Sequence, residues 1–252
     1  MHPELAHERL DVYRLYLEVA GLCGGIGASM TDPIAAIDHL DRAMESIGVN
    51  LMRANAQVLG SSLRSSCLDV SIASTHECAA ALDVCLAKGA IGADTCAAGT
   101  GRLWRIRGML LGLKRASLGH VQEEQTQYGT PRFPHASLDM YQASLEGVRW
   151  THILLEELAS GRKAGRKLDV STTGTVLNIA EGHGRASTAD RNRFMKIAQE
   201  HALQTVLLLD LMVARHETPE CRIAGGKAIQ ARVISMLHAW GNRKQRTRDS
   251  RG

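Results

Sequence analysis

Asn178-Ile179-Ala180-Glu181-Gly182-His183-Gly184-Arg185-Ala186-Ser187-Thr188-Ala189-Asp190 joins the end of one helix to the start of the next. Val176, Leu177, Ile179 and Ala180 give the apolar face of the first helix's last turns. Gly182 and Gly184 suit a helix C-terminus and the turn after it, because glycine takes φ > 0 without a Cβ clash. Ser187, with Asp190 three residues on, reads as an N-cap followed by an acid in the first turn. The next helix runs through Phe194, Ile197, Ala198, Leu203 and Leu207. Composition points the same way. A hydrophobic content of 44% supports a core, while 4% aromatic residues and 5 prolines favour helix-on-helix packing over a β-sandwich.

Outward from this corner, the chain repeats itself. Leu10-Asp11-Val12-Tyr13 returns as Leu138-Asp139-Met140-Tyr141, Leu40-Asp41 as Leu168-Asp169, and Val49-Asn50-Leu51 as Leu177-Asn178-Ile179, all at an offset of 128 residues. The offset then becomes 127: Val70 falls on Ile197, Leu82-Asp83 on Leu209-Asp210, Arg105-Ile106 on Arg232-Val233, and Met109-Leu110 on Met236-Leu237. Unrelated amphipathic helices would not hold register this long. The expectation is an all-α chain of two tandem up-down antiparallel four-helix bundles.

The first bundle is assigned to residues 1–117 and the second to 135–241, with a linker at 118–134 that Gly129-Thr130-Pro131-Arg132-Phe133-Pro134 keeps from being helical. In the first half, a stripe of Leu10, Tyr13, Leu17 and Leu22 makes a helix ending near Gly24-Gly25. Asp32-Pro33 opens a second, a third runs from about Ser62 to Lys88-Gly89, and Asp94 opens a fourth. In the second half, helices are expected over about 138–160, 167–181, 188–216 and 219–240. Residues 161–167 read as a basic loop, and residues 242–252 as a disordered basic tail without an apolar stripe.

The corner carries a resemblance. Asn178, Glu181, Gly182, Gly184, Arg185 and Ser187, followed by Phe194, Ile197 and Ala198, resemble the motif of the four-helix-bundle family of 23S rRNA intervening-sequence proteins, which is related to the accessory proteins of diversity-generating retroelements. The resemblance implies an up-down bundle that assembles into a homo-oligomeric ring. It also implies association with RNA, with a ribosomal RNA-related partner or with a reverse transcriptase, and it implies no known enzymatic activity. The first half departs from the motif. Asn50-Leu51-Met52-Arg53-Ala54 lacks the glutamate and the glycines, and residues 56–61 offer no counterpart to Gly184-Arg185-Ala186-Ser187. The first half then reads as a structural partner for the second.

Charge divides along the same line. Residues 1–126 hold 11 basic and 14 acidic side chains, a net of −3, and residues 127–252 hold 19 and 12, a net of +7. The second half is therefore the candidate polyanion binder. Its candidate nucleic-acid residues are Arg162, Lys163, Arg166 and Lys167, then Arg185, Arg191, Arg193 and Lys196, then Arg243 and Lys244. Few aromatics are available to stack on bases, so phosphate and shape contacts are expected. The rival reading is a purely structural assembly module whose basic face meets an acidic protein, with head-to-tail pairing of copies as one form. Asn178 and Glu181 also read two ways. Either they satisfy backbone groups at the bundle's end or at a subunit interface, or Glu181 orients Arg185 for a phosphate or a protein partner.

No constellation points to catalysis. The 11 histidines are scattered, His152 and Glu156 merely share a helix face, and the paired Glu-x-x-His motifs of a di-iron bundle are missing. The 6 cysteines form no CxxC pair and read as buried core residues. No catalytic residue, metal or cofactor is expected. Met1-His2-Pro3-Glu4 does not read as a signal peptide and no apolar run reaches membrane-spanning length, so the expected location is the cytoplasm.

Overall fold

A computed structural model describes residues 6–29, 34–117, 132–158 and 162–249. Among them it contains eight α-helices and no strand: α1 Asp11–Ala28, α2 Ala35–Asn55, α3 Ser62–Ala87, α4 Ala93–Ser117, α5 Asp139–Glu157, α6 Arg162–Gly184, α7 Thr188–Ala214 and α8 Glu220–Asp249. The chain is all-α, as its composition requires. α1 packs on α2 and α4, and α3 packs on both as well; α5 packs on α6 and α8, and α7 packs on both. The two halves meet mainly where α3 lies on α6.

Local devices recur between the halves. A 3₁₀ turn, Ala6–Arg9 or Pro134–Ser137, leads into α1 and α5. Leu10 and Leu138 then start those helices with φ −78°, ψ 126° and φ −78°, ψ 127°. His7 lies 4.8 Å from the Tyr13 ring, and His135 lies 4.7 Å from the Tyr141 ring. Asn50 Nδ2 donates to the Ser46 carbonyl at 2.9 Å, and Asn178 Nδ2 to the Gly174 carbonyl at 2.7 Å. Ser61 caps α3 by accepting from the Arg64 N–H, and Ser187 caps α7 by accepting from the Asp190 N–H. After α3 the left-handed residue is Gly89, φ +67°; after α7 it is His216, φ 57°, which a side chain adopts only at a cost of about 1 kcal/mol or more.

One apolar core runs through both halves, from Val12 on α1 through Leu40, Leu68, Leu82 and Leu103 to Leu177, Ile179 and Val233. Leu154, Leu168, Leu209, Met212 and Ile223 form a smaller cluster within α5–α8. Each fully buried leucine contributes roughly 2 kcal/mol through surface removed from water.

The structure differs from the sequence expectation in several places. The buried stripe of α1 is Val12, Leu15, Val19, Cys23 and Ile26, and Leu17 faces solvent. The helix passes Gly24-Gly25 because burying Ile26 offsets the roughly 1 kcal/mol that each glycine costs. Asp32-Pro33 lies outside the described residues. The first N–H of α2, that of Ala35, is satisfied instead by Asp169 Oδ2 at 3.0 Å, from the other half of the chain.

The basic run expected as a loop at 161–167 forms the first turns of α6 from Arg162 onward, and α8 continues to Asp249 where a disordered tail was expected from residue 242. Arginine, lysine and glutamine are good helix formers, and extending a nucleated helix costs little. Residues 118–131 and 250–252 lie outside the described residues. Phe133, read as linker, is buried with its ring 4.9 Å from His76 and 5.4 Å from Trp104. Contrary to the sequence reading, α3 is long and apolar enough by length and composition to cross a membrane, yet most of its apolar stretch is buried within the fold. Five cysteines are buried as free thiols, and Cys221 is exposed.

Candidate nucleic-acid interface

The corner between α6 and α7 is held by its own motif. The Glu181 carboxylate pairs with the Arg185 guanidinium one helical turn away. That guanidinium also lies 4.8 Å from the centre of the Phe194 ring, and Arg191 Nη2 donates to the Arg185 carbonyl at 2.9 Å. Arg185 is thereby drawn inward, leaving its side chain 19% exposed. Burial raises the Glu181 pKa and the nearby Glu77 adds to the rise, while Arg185 and His39 work against it.

Gly182 and Gly184 do not serve as expected. Among the described residues, glycines with positive φ are Gly60 and Gly89, so the motif glycines keep ordinary helical backbone. What they provide is room. A Cβ on Gly182 would stand 2.9 Å from Phe194 Cβ and 3.3 Å from the Arg191 carbonyl oxygen. A Cβ on Gly184 would stand 2.9 Å from the His76 ring and 3.2 Å from Ala73 Cα. One glycine lets α7 approach and the other lets α3 approach. With Asn178 bonded to the backbone of its own helix and Ser187 capping α7, all six motif residues have a structural task inside the chain.

The remaining cations fall into two groups. Arg166 and Lys167 are exposed near the start of α6, with Arg162 and Lys163 on its first turn. Arg193 and Lys196 are exposed near the start of α7, beside Arg185 and Arg191. A three-residue corner makes α6 and α7 antiparallel, so the two groups lie toward opposite ends of α6, about 20 Å apart along its axis at roughly 1.5 Å per residue. α8 runs antiparallel to α7 and α5, as the ion pairs Arg222–Glu157 and Arg232–Glu146 require. Its last turns, which include Arg243 and Lys244, therefore come to the same end as the corner.

A buried ring cluster behind the corner was not foreseen. Arg107 Nε donates to His76 Nε2 at 3.1 Å, so His76 carries its proton on Nδ1 and donates to His135 Nδ1 at 3.1 Å. His135 then holds its proton on Nε2, which is buried without a hydrogen-bond partner. Tyr141, whose ring meets that of His135 at a tilt of 56°, donates to Asp83 Oδ2 at 2.8 Å. Burial lowers the His76 pKa from its usual 6.5 to about 2, helped by His135, Arg107 and His183. Burial likewise lowers His135 to about 3, helped by His183 and Arg107. These residues come from α3, α4, the second 3₁₀ turn, α5 and α6, so only the fold brings them together. Among the described residues, no group of three or more His, Cys, Asp or Glu is arranged to hold a metal ion.

Comparison of this chain with models of known families, with characterised proteins and with solved structures finds no match.

Proposed function

We propose that the chain is a duplicated four-helix-bundle protein of the family its corner motif resembles, and that its basic second half binds structured RNA through phosphate contacts. It is a binding module rather than an enzyme. The duplication is supported by the recurring helix neighbours, the recurring 3₁₀ turns with their His–Tyr contacts, and the matched Asn50 and Asn178 bonds. One observation carries the RNA reading: exposed Arg193 and Lys196 on the first turns of α7 share one end of the molecule with the last turns of α8 and their Arg243 and Lys244. The N-terminal dipole of α7 adds to this positive end. Arg185, neutralised by Glu181, shapes the corner instead of meeting phosphate.

Fluorescence anisotropy with a hairpin RNA tests the reading. Four engaged cations give roughly a hundredfold loss of affinity between about 50 and 200 mM salt. No binding at low salt defeats it. A second reading, an assembly module without RNA affinity, draws support from the inward-turned motif. It prevails if the particle mass responds to salt while the RNA titration stays flat.

A further inference from the structure

Inside the chain, one stripe of α6 is covered by α3. Asp169 and Thr173 on α6 both meet the ammonium of Lys88, which follows α3. Gly184, at the other end of the stripe, meets Ala73 and His76 of α3. Leu177 and Ala180 lie between and are fully buried. Tyr141 on α5 reaches Asp83 of α3 across the same junction.

Each half of this contact occurs a second time. At the offset of 128 residues, α2 carries Asp41, Glu45, Val49 and Met52 where α6 has Asp169, Thr173, Leu177 and Ala180. At the offset of 127, α7 carries Leu203 and Leu207 where α3 has His76 and Ala80, and Arg215 stands in place of Lys88. The second set is open to solvent: Val49 is 45% exposed, Met52 40%, Leu203 50% and Leu207 56%. Asp41, Glu45 and Arg215 are exposed as well. The charges keep their sense, since arginine replaces lysine and the threonine beside it becomes a second acid. The Tyr141–Asp83 pair likewise has a counterpart in Tyr13 and Asp210.

We infer that α7 of one molecule packs on α2 of a second copy of this chain, repeating between chains the α3–α6 contact made within each. The inference rests on the duplication proposed above and not on RNA binding. Leu203 and Leu207 cover Val49 and Met52 of the next copy, and Arg215 meets its Asp41 and Glu45. Tyr13 of that next copy reaches back toward Asp210. The two faces differ, so the contact is head to tail, and it closes into a ring or extends according to the rotation it imposes. The acidic first half and basic second half favour this direction of pairing.

Light scattering on the full chain across a concentration series tests it. The wild type is expected to exceed the 27.3 kDa of one chain, increasingly so with concentration. Leu203→Glu with Leu207→Glu blocks one face, Val49→Glu with Met52→Glu blocks the other, and each variant is expected to be monomeric with unchanged helicity. Their equimolar mixture is expected to form a species of two chains and nothing larger, because one intact face of each kind remains. Arg215→Asp weakens association, and adding Asp41→Arg restores it; this pair decides if a glutamate variant fails to fold. A monomeric wild type, blocked variants that still associate, or a mixture that stays monomeric overturns the inference. Lys88→Glu in the monomeric background separates the two premises. An unchanged melting temperature removes the internal contact used as template, whereas a lowered one in a chain that never associates overturns the pairing alone.

Discussion

Gly184 sits against Ala73 Cα and the ring of His76, and that ring is fixed by Arg107 on one side and His135 on the other. Neither neighbour can yield to a methyl group. Gly184→Ala is therefore expected to destabilise the fold despite better helix propensity: overpacking costs about 1–3 kcal/mol against a gain of about 1. Gly21, inside α1 with nothing within 4 Å of a built Cβ, is the control, and Gly21→Ala is expected to stabilise by up to about 1 kcal/mol. Denaturant midpoints at equal m-value measure both; a stabilising Gly184→Ala would mean that α3 is not where it is described. The sequence singled out Gly182 and Gly184 but supported a different reason for them. A tight corner between two helices is a local pattern and explains a glycine by its φ. The true neighbour of Gly184 lies more than a hundred residues earlier in the chain, and no local pattern reports it.

Helices whose ends carry a capping side chain or a stop glycine were legible to within a few residues. Gly89 and Ser187 mark the end of α3 and the start of α7 because their chemistry is tied to particular backbone angles, and Asp94 marks the first turn of α4 as an acid at the positive end of the helix dipole. The basic starts and ends were not legible. Lysine and arginine report solvation, and they suit a helix as well as a loop, so α6 began earlier and α8 ran further than expected. Leu203 and Leu207 were read only as apolar positions along α7, and both are exposed, because periodicity shows an apolar stripe without saying what covers it. The separation of the basic groups makes a prediction at this scale. Reversing Arg193 and Lys196 to glutamate is expected to lower the salt slope of RNA binding by about 2, one per lost phosphate contact. The same reversal at Arg166 and Lys167 is expected to leave the slope near the wild-type value for a short hairpin. Equal effects at both ends would mean that the RNA lies along the whole of α6.

The sequence repeat at offsets of 128 and 127 residues is readable because the two halves of the chain keep the same apolar register; that it marks a duplication is the proposal made above. The junction between the halves was not legible, since a repeated apolar pattern reports each half's own stripes and leaves their mutual face unstated. That face holds the His76–His135 pair, with Arg107, His183, Tyr141 and Phe133 around it. Both rings are committed to the neutral form. A proton added to either would set N–H against N–H between them, or would face the guanidinium of Arg107. In the unfolded chain each histidine takes up a proton near pH 6.5, while in the folded chain His76 waits until about 2 and His135 until about 3. Their folded values are depressed, so the stability they contribute is present above pH 6.5 and is lost as pH falls below it. Each group adds a slope of about 1.4 kcal/mol per pH unit, so the pair removes roughly 4 kcal/mol by pH 5. That is a large share of the about 5–15 kcal/mol that holds a typical domain together. Urea unfolding between pH 7 and pH 5 measures the slope. His135→Phe, which keeps a ring beside Tyr141 and discards the titration, is expected to reduce the slope by about 1.4 kcal/mol per unit, whatever it does to stability at neutral pH. An unchanged slope would mean that His135 is accessible to protons in the folded protein, and that the junction is looser than the packing of α3 on α6 requires.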